Sequence, residues 1–586
     1  MYSLFRNLPH TVALAIMVIA PNFAWAKPAP NILFIVSDDH GWGDLPSNWD
    51  KTEARLPNLD ALANQGVRFQ NYHTVPLCGP SRACMFTGQY SSENGMWRGP
   101  GSQPLGSPGY RGIKRDVKML SEHLLKAGYK TGAFGKWHMG SLDGEVPNNR
   151  GFEEFRGFLA GAHPYWITEK RSKIMHNRKA DSTSKGHATE LFTRWAEQFI
   201  RKSSAQDTPF FCYLAYNAVH GPLRTDKSKP ASAPKEWVDK ALARGVDFLR
   251  SDYVAILEHM DHNIGKLISV LNELGIADNT LIVFVSDNGG CTMEEGAAGG
   301  RFPGNNGPFR GAKGTTYQGG LNVPLLMKWK GRLPQGMVSK EQVMHCDIYS
   351  TLLDAVGIPV PKMNGRNPVR GISLMPHMLS GGKKIVAERS MLFELWGNVG
   401  LRKGNYKIWA DVGRDSSPDW KALVSVLKEA DLALFDLGKD SAEKNDLRTE
   451  LPEVYDSLKK ELINHFAKVN DEYPTKATHP DLFVGVKKGA GATNQDTLKK
   501  TKSVPPKALI ASHGGRRKAF VAMDQNGDGK VTQGELDAWF KNRAIKSPGK
   551  FTYKPSQSKG ALKKRDKNKD GMLSLEEWVN ASAQER

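Results

Sequence analysis

Apolar positions along the chain follow two rhythms. Ile32–Val36, Lys130–Phe134, Phe210–Tyr216 and Leu281–Val285 are short runs, apolar on both faces and rich in Ile, Val, Phe or Tyr. That pattern predicts buried parallel strands. Between them lie helical stretches, among them Val117–Ala127 stopped by Gly128 and Asp252–Leu274 stopped by Gly275. In the second, Ile256, Ile264, Leu267, Ile268, Leu271 and Leu274 recur near helical spacing and mark a core-facing stripe. Strand and helix alternate in this way from Pro30 to about Gly357, which predicts an α/β layer fold with a mainly parallel sheet. After Pro359–Pro361 the texture changes. Met391–Trp409 and Ala433–Leu437 predict short strands and Glu453–Phe466 a helix, together a smaller α+β subdomain. A basic stretch poor in apolar residues, Lys487 to Lys507, reads as a linker. A separately patterned tail follows His513.

The only sustained apolar run, Thr11–Ala20, is too short to span a bilayer. Arg6 precedes it and Ala24-Trp25-Ala26 follows, so it reads as an export signal with the mature chain starting at Lys27. Ordinary globular composition, 39% hydrophobic and 24% charged over 586 residues, excludes disorder or coiled coil for the bulk of the chain. A formal net charge of +20 favours polyanionic partners. Export turns that preference away from nucleic acid and towards sulfated or acidic polysaccharide. Five cysteines, Cys78, Cys84, Cys212, Cys291 and Cys346, give no disulfide framework and no zinc-type spacing.

The ends of the four strands concentrate polar chemistry. Ile32–Val36 runs into Asp38-Asp39-His40-Gly41, and Lys130–Phe134 into Gly135-Lys136-Trp137-His138. Phe210–Tyr216 runs into Asn217-Ala218-Val219-His220, and Leu281–Val285 into Asp287-Asn288-Gly289-Gly290. In open α/β sheets ligands bind at the carboxyl ends of the strands. Asp38, Asp39, Asp287 and Asn288 then form an all-oxygen set suited to calcium or magnesium. The lysine and histidines beside it suit an anionic substrate and proton transfer.

Cys78 to Gly88, CGPSRACMFTG, resembles the signature of the formylglycine-dependent sulfatases, in which the Cys of Cys-x-Pro-x-Arg is oxidised to an aldehyde. DDHGWGD (Asp38–Asp44), GKWHMG (Gly135–Gly140), GFEEFRGF (Gly151–Phe158), HGP (His220–Pro222), SDNGG (Ser286–Gly290) and RGAKGTTYQGGLNVP (Arg310–Pro324) follow in the family's order. LRKGNYKIW (Leu401–Trp409) and LFDLGKDSAEKNDL (Leu434–Leu447) look like its C-terminal subdomain. The resemblance spans about residues 28–470. It implies an alkaline phosphatase-like fold, a large mixed sheet between helices plus a small C-terminal sheet.

It also implies roles. Modified Cys78 with Asp38, Asp39, Asp287 and Asn288 would bind one calcium, and Arg82 would orient the hydrated aldehyde. Lys136 and Lys313 would neutralise the sulfate oxygens, His138 would drive collapse of the intermediate, and His220 would protonate the leaving alcohol. A gem-diol offers one oxygen for attack, and its second oxygen later expels sulfate and restores the aldehyde. Apart from the resemblance, His163, with Tyr165 and Trp166 in the loop after GFEEF, either lines the substrate pocket or packs the loop, and the pocket is its site assignment. Two departures stand out. Gln318 and Asn322 occupy positions where the family often has Glu and Arg, which is expected to alter packing or a subsite rather than the chemistry. Cys84 has no matching role and is assigned to the core. Glu258, His259, Asp261 and His262 share one helix whose apolar stripe marks them as structural.

The tail carries two loops of calcium ligands. Asp524, Asn526, Asp528, Lys530 (through its carbonyl) and Glu535 occupy ligand positions of a twelve-residue EF-hand loop. Asp566, Asn568, Asp570, Met572 (again through its carbonyl) and Glu577 repeat them. Val531 and Leu573 take the position where paired loops form a short ladder. Exported EF-hands bind calcium at roughly 10⁻⁴–10⁻³ M, so a structural role is expected.

The predicted division is a signal at 1–26, a sulfatase catalytic domain at 27–370, its C-terminal subdomain at 371–483, a linker at 484–512 and an EF-hand pair at 513–586. The predicted protein is a periplasmic or extracellular sulfuric ester hydrolase acting on a sulfated carbohydrate, with no membrane span. A formylglycine-generating enzyme would be its maturation partner. The alternatives are a phosphonate or phosphodiester hydrolase of the same superfamily, and a calcium-dependent glycan-binding protein.

Overall fold

The computed structural model describes residues 29–97, 99, 112–169, 173–221, 223, 230–292, 303–413, 420–469, 530–538 and 573–574. The predicted export signal, the predicted linker and most of the tail lie outside these residues. So do the EF-hand ligands Asp524, Asn526, Asp528, Asp566, Asn568, Asp570, Met572 and Glu577. Among the described residues, no helix is long and apolar enough to cross a membrane.

The four apolar runs become adjacent strands at the centre of a ten-stranded sheet. Its spatial order is Met337–Met344, Val67–His73, Leu325–Lys328, Thr280–Ser286, Asn31–Ser37, Phe210–Ala215, Lys130–Lys136, Glu154–Phe158, Met175–His176, Lys179–Ala180. From Thr280–Ser286 to Glu154–Phe158 every pairing is parallel. Leu325–Lys328 runs against both of its neighbours, so the sheet is mixed but mainly parallel.

Strand alternation feeds two cores, because successive side chains point to opposite faces. Leu33 and Ile35 pack with Ile256, Ile264 and Leu267 of the long Phe248–Glu273 helix. Ile32, Phe34 and Val36 pack on the other face with Met85 and Phe86 of the Cys78–Thr87 helix and Leu352 of the Cys346–Ala355 helix. The long helix begins earlier than its apolar stripe because Asp247 caps it, accepting a 2.8 Å bond from the Leu249 N–H. The Cys78–Thr87 helix tolerates Pro80 in its first turn, where the absent N–H has no partner to lose. It ends at Gly88, whose φ of 70° is the left-handed closure that glycine adopts freely.

Met391–Leu395, Asn398–Lys403, Tyr406–Asp411 and Ala433–Asp436 form a separate antiparallel sheet in chain order. Its core is shared: Phe393, Leu401, Ile408, Leu427 and Leu462 pack with Val75, Cys84, Leu321 and Cys346 of the main body. Leu374, Met375 and Met378 belong to the main core. In the tail, Val531 pairs antiparallel with Leu573, the register anticipated for two EF-hand loops. Glu535 accepts 2.9 Å bonds from the Thr532 N–H and hydroxyl.

Glu394 is buried where the small sheet meets the main body, accepting a 2.7 Å bond from the Ser91 hydroxyl and another from the Ser92 N–H. Burial pushes its carboxyl up to about 7, against those hydrogen bonds. As pH rises from the ordinary 4.5 to about 7, the unfolded chain loses this proton and the folded one keeps it, so stability falls over that window and levels off above it. Glu394→Gln should therefore melt closer to wild type at pH 5 than at pH 8, where it should gain; equal differences by calorimetry would refute the buried proton.

Candidate active site

The parallel strands end level with one another. Val36 lies beside both Val285 and Ala215, and Ala215 beside Gly135. Each following turn therefore opens on the same edge. Backbone bonds stitch the turns together: Asp38 N–H to the Ala218 carbonyl at 2.7 Å, Val219 N–H to the Asp38 carbonyl at 2.6 Å, and Asp287 N–H to the Ser37 carbonyl at 3.1 Å. Asp39 and His138 adopt left-handed φ of 63° and 55°, costing of order 1–3 kcal/mol each for residues with a side chain. The His138 ring lies over Gly161, where an added Cβ would stand 2.7 Å from two ring atoms.

Three carboxylates and three cations meet at this edge, all buried. Lys136 Nζ is 2.5 Å from Asp38 Oδ2. Lys313 Nζ is 2.7 Å from Asp39 Oδ1. Arg82 reaches Asp287 Oδ2 through Nε at 2.9 Å and Nη2 at 2.8 Å, and donates through Nη1 to the Tyr213 hydroxyl at 3.1 Å. Burial alone would raise Asp38, but Lys136 and the other cations outweigh it and hold the carboxyl well below its usual range. Lys313 is raised well above the ordinary lysine value, with Asp39 overcoming its burial.

Cys78 is the first residue of its helix, 1% exposed, with Sγ 3.5 Å from Asp38 Oδ1. Burial pushes its thiol up to about 12, despite Lys136 and Lys313. One ligand atom each from Asp38, Asp39, Cys78 and His220 lies within 4.8 Å of the others. Asn288 joins them through a 2.7 Å bond from Nδ2 to Asp39 Oδ1, and its own Oδ1 is buried without a hydrogen-bond partner. An orphaned carbonyl oxygen beside three carboxylates fits a hard cation such as calcium. The neutral thiol does not fit one, whereas an oxygen at that position would.

His220 Nδ1 lies 2.6 Å from the Gly221 carbonyl, so Nε2 faces the cluster, 3.8 Å from Asp39 Oδ2. Burial lowers its pKa against the pull of Asp38 and Asp39. His138 is deeper, its Nδ1 buried without a partner. Burial, with Lys136 and Arg82, holds it well below the ordinary value and keeps it neutral.

The sulfatase family profile matches residues 30–358, more than half of the chain. The chain belongs to the sulfatase family. Residues 312–471 match a second profile, N-sulphoglucosamine sulphohydrolase, C-terminal, and residues 517–541 and 560–581 match EF hand. N-acetylgalactosamine-6-sulfatase of Rattus norvegicus is 30% identical over 473 residues, covering 74% of this chain and 84% of that one. The crystal structure of Ps i-CgsB in complex with k-i-k-neocarrahexaose is 27% identical with a TM-score of 0.65, covering 78% of this chain and 97% of that one. Phosphonate monoester hydrolase SpPMH from Silicibacter pomeroyi, 19% identical with a TM-score of 0.52, shares the fold and covers 76% of this chain and 96% of that one. This protein is accordingly a hydrolase of sulfate esters.

Of the two roles open to His163, packing within its loop is the one this sulfatase shows. Its ring is buried against Phe158, with Nδ1 2.7 Å from the Pro164 carbonyl. In the same loop the Tyr165 hydroxyl lies 2.9 Å from the carbonyls of both Asn217 and His220, which share its single proton. Sequence reasoning also passed over Tyr213 and Cys291, whose Sγ is 3.6 Å from Asp39 Oδ2. Tyr213 sits mid-strand, and a buried strand tyrosine looks like core until Arg82 is seen to reach it. Gln318 and Asn322 are buried, Gln318 with Oε1 2.9 Å from His73 Nε2. Cys84 is core. Asp261 holds the start of the Pro57–Asn64 helix through the Leu59 N–H at 2.8 Å, and His259 pairs with Glu190 at 3.1 Å, so that helix's polar face is structural.

Two arginine forks on this sulfatase differ mainly in burial. Arg82 and Asp287 are 0% exposed, whereas Arg201 and Glu273 are 37% and 62% exposed. Arg82→Met strands a buried carboxylate and should cost about 3–5 kcal/mol in urea unfolding. Arg201→Met should leave unfolding nearly unchanged, because water and salt screen that exposed pair. Similar losses would mean the Asp287 charge is not buried as described.

Proposed function

We propose that this sulfatase is exported and removes sulfate from a sulfated carbohydrate, using formylglycine made from Cys78 and one calcium ion. The observation that carries this reading is the state of Cys78. A thiol pushed up to about 12 is neutral at physiological pH, hence neither a good nucleophile nor a ligand for a hard cation, yet it sits among oxygen donors and cations. Conversion supplies an oxygen pair at that position, one to attack sulfur and one to expel sulfate afterwards. Because Cys78 is so deeply buried, the maturation enzyme has to act before the chain closes around it.

The six charged side chains sum to zero, three minus against three plus. Calcium held by Asp38, Asp39, Asp287 and Asn288 would raise the site to +2 and polarise the sulfate. With Asp38 and Asp39 holding that ion, Lys136 and Lys313 would be the ammoniums that meet sulfate oxygens. Arg82, held by Asp287 and Tyr213, orients the group at position 78. Neutral His138 accepts a proton from the hydroxyl there. His220, fixed through Nδ1 and the Tyr165 hydroxyl, delivers a proton from Nε2 to the departing alcohol. Sugar substrates are supported by the names of the relatives, N-acetylgalactosamine-6-sulfatase and a protein bound to a neocarrahexaose, and by the charge of +20. Export rests on the segment from Arg6 to Ala26, and the EF-hand pair is a further, structural calcium module.

Mass spectrometry of protein made with a maturation enzyme should find formylglycine at position 78, and Cys78→Ala should abolish turnover. Full activity with an unmodified cysteine would end this mechanism; preference for phosphate over sulfate esters in parallel assays would support the superfamily alternative.

A sugar hydroxyl is a poor leaving group and needs the proton from His220, a contribution of about 10²–10⁴-fold. An activated aryl sulfate leaves as a phenolate and needs it far less. His220→Ala should therefore cripple hydrolysis of sugar sulfates and spare most activity on the aryl ester, whereas His138→Ala should slow both alike. Equal slowing by His220→Ala, with chemistry rate-limiting for each substrate, would reassign His220 to sulfate binding.

A further inference from the structure

We propose that Lys407 and Glu443, in the C-terminal subdomain, are positioning residues that hold the Lys313 loop at the catalytic edge. This rests on the reading of Lys313 as a sulfate-binding cation. The two side chains form an ion pair of 2.5 Å, both 0% exposed.

Residues 310–317 contain no helix or strand, so no ladder of their own fixes where Lys313 stands. The small sheet and the segment after it supply the anchors. Lys407 Nζ donates to the Thr316 carbonyl. Glu443 Oε2 accepts from the Gln318 N–H at 2.6 Å, and the Glu443 carbonyl accepts from Arg310 Nη1 at 2.9 Å. Asn398 Oδ1 takes the Thr316 N–H at 3.0 Å. Tyr317 stacks on Trp409, ring centroids 4.3 Å apart. On its other side the loop touches the site: the Lys313 N–H bonds the Gly290 carbonyl at 3.3 Å, and the Gly314 N–H bonds the Pro76 carbonyl at 2.7 Å, two residues before Cys78.

An apolar pair in place of Lys407 and Glu443 would fill the same volume, and such replacements often cost little stability. It would, however, leave the Thr316 carbonyl and the Gln318 N–H buried without these partners, and buried backbone groups are nearly always paired. The loop would have to move to find others. Glu443 is itself held at a left-handed φ of 53°, a conformation that persists in a residue with a side chain only where its surroundings impose it. The pair therefore acts as a directional clamp on backbone.

The test is a double-mutant cycle on the matured full chain, with an activated aryl sulfate for turnover and inorganic sulfate as the bound probe. Glu443→Gln keeps the shape and removes the charge; it should lower kcat/KM by about tenfold or more, as small misplacements of catalytic groups do. Inhibition by sulfate should weaken in parallel. On a Lys313→Met background the same substitution should cost less than about twofold, because its effect passes through Lys313. If Glu443→Gln does not accumulate as folded protein, the double change Lys407→Met with Glu443→Leu removes both anchors without stranding a charge and enters the same cycle. Equal losses on both backgrounds would make the pair merely structural and overturn the proposal. Unchanged turnover and sulfate inhibition in Lys313→Met alone would instead remove the sulfate-binding role of Lys313, and the clamp's purpose with it.

Discussion

Charge has to balance inside a folded protein, and at the catalytic edge of this one the balance is local. Asp38, Asp39 and Asp287 are each buried and each has a cation within 2.9 Å. An isolated buried carboxylate would be protonated or would unfold the chain. The cluster exists because its members arrive from different places. Two carboxylates follow the first strand and one follows the Thr280–Ser286 strand; Lys136 closes the Lys130–Lys136 strand, Arg82 comes from the Cys78–Thr87 helix and Lys313 from a loop. A parallel sheet with level ends is what lets these elements deliver charge to one point. Under the proposed function, a divalent cation held there would add net positive charge where a sulfate oxyanion has to be met by cations.

The two lobes are not separate in energy or in chemistry. Cys84 and Cys346 from the main body pack with Phe393, Leu401 and Leu462 of the small lobe. The sulfatase profile and the C-terminal profile overlap between residues 312 and 358, and Lys313 lies in that overlap. The small sheet and the segment after it thus bond the backbone of the loop that carries Lys313. Glu394, buried at the same junction, ties the lobes together through Ser91 and Ser92, just beyond the Cys78 helix.

Much of this was legible in the residues. The four central strands were readable because strands covered on both faces must be apolar throughout, and the polar residues after them because a strand end is where side chains regain access to ligands. Val67–His73 and Met337–Met344 were not readable: the first carries Arg68, Gln70 and Asn71, the second Ser339, Lys340, Glu341 and Gln342, and both lie at or next to the sheet's edge, where polar side chains are tolerated. The role of the His163 loop was not legible, because aromatic residues beside a motif look alike whether they face a ligand or the core. Tyr165 turned its hydroxyl to hold His220, His163 packed on Phe158, and Trp166 remained 45% exposed.

By itself the amino-acid sequence determined the layer fold, the family, the paired EF-hand loops and the identity of the groups around Cys78, since each depends on local pattern or on motifs within a few residues. Tertiary structure alone decided which cation pairs with which carboxylate, that Asn288 Oδ1 is left without a partner, and that Lys407 and Glu443 reach across to the Lys313 loop. Those facts join residues from 36 to more than 270 positions apart, Lys407 to Glu443 and Lys313 to Asp39. Distances of that kind are set by how helices and sheets pack, and hydrophobic periodicity carries no record of them.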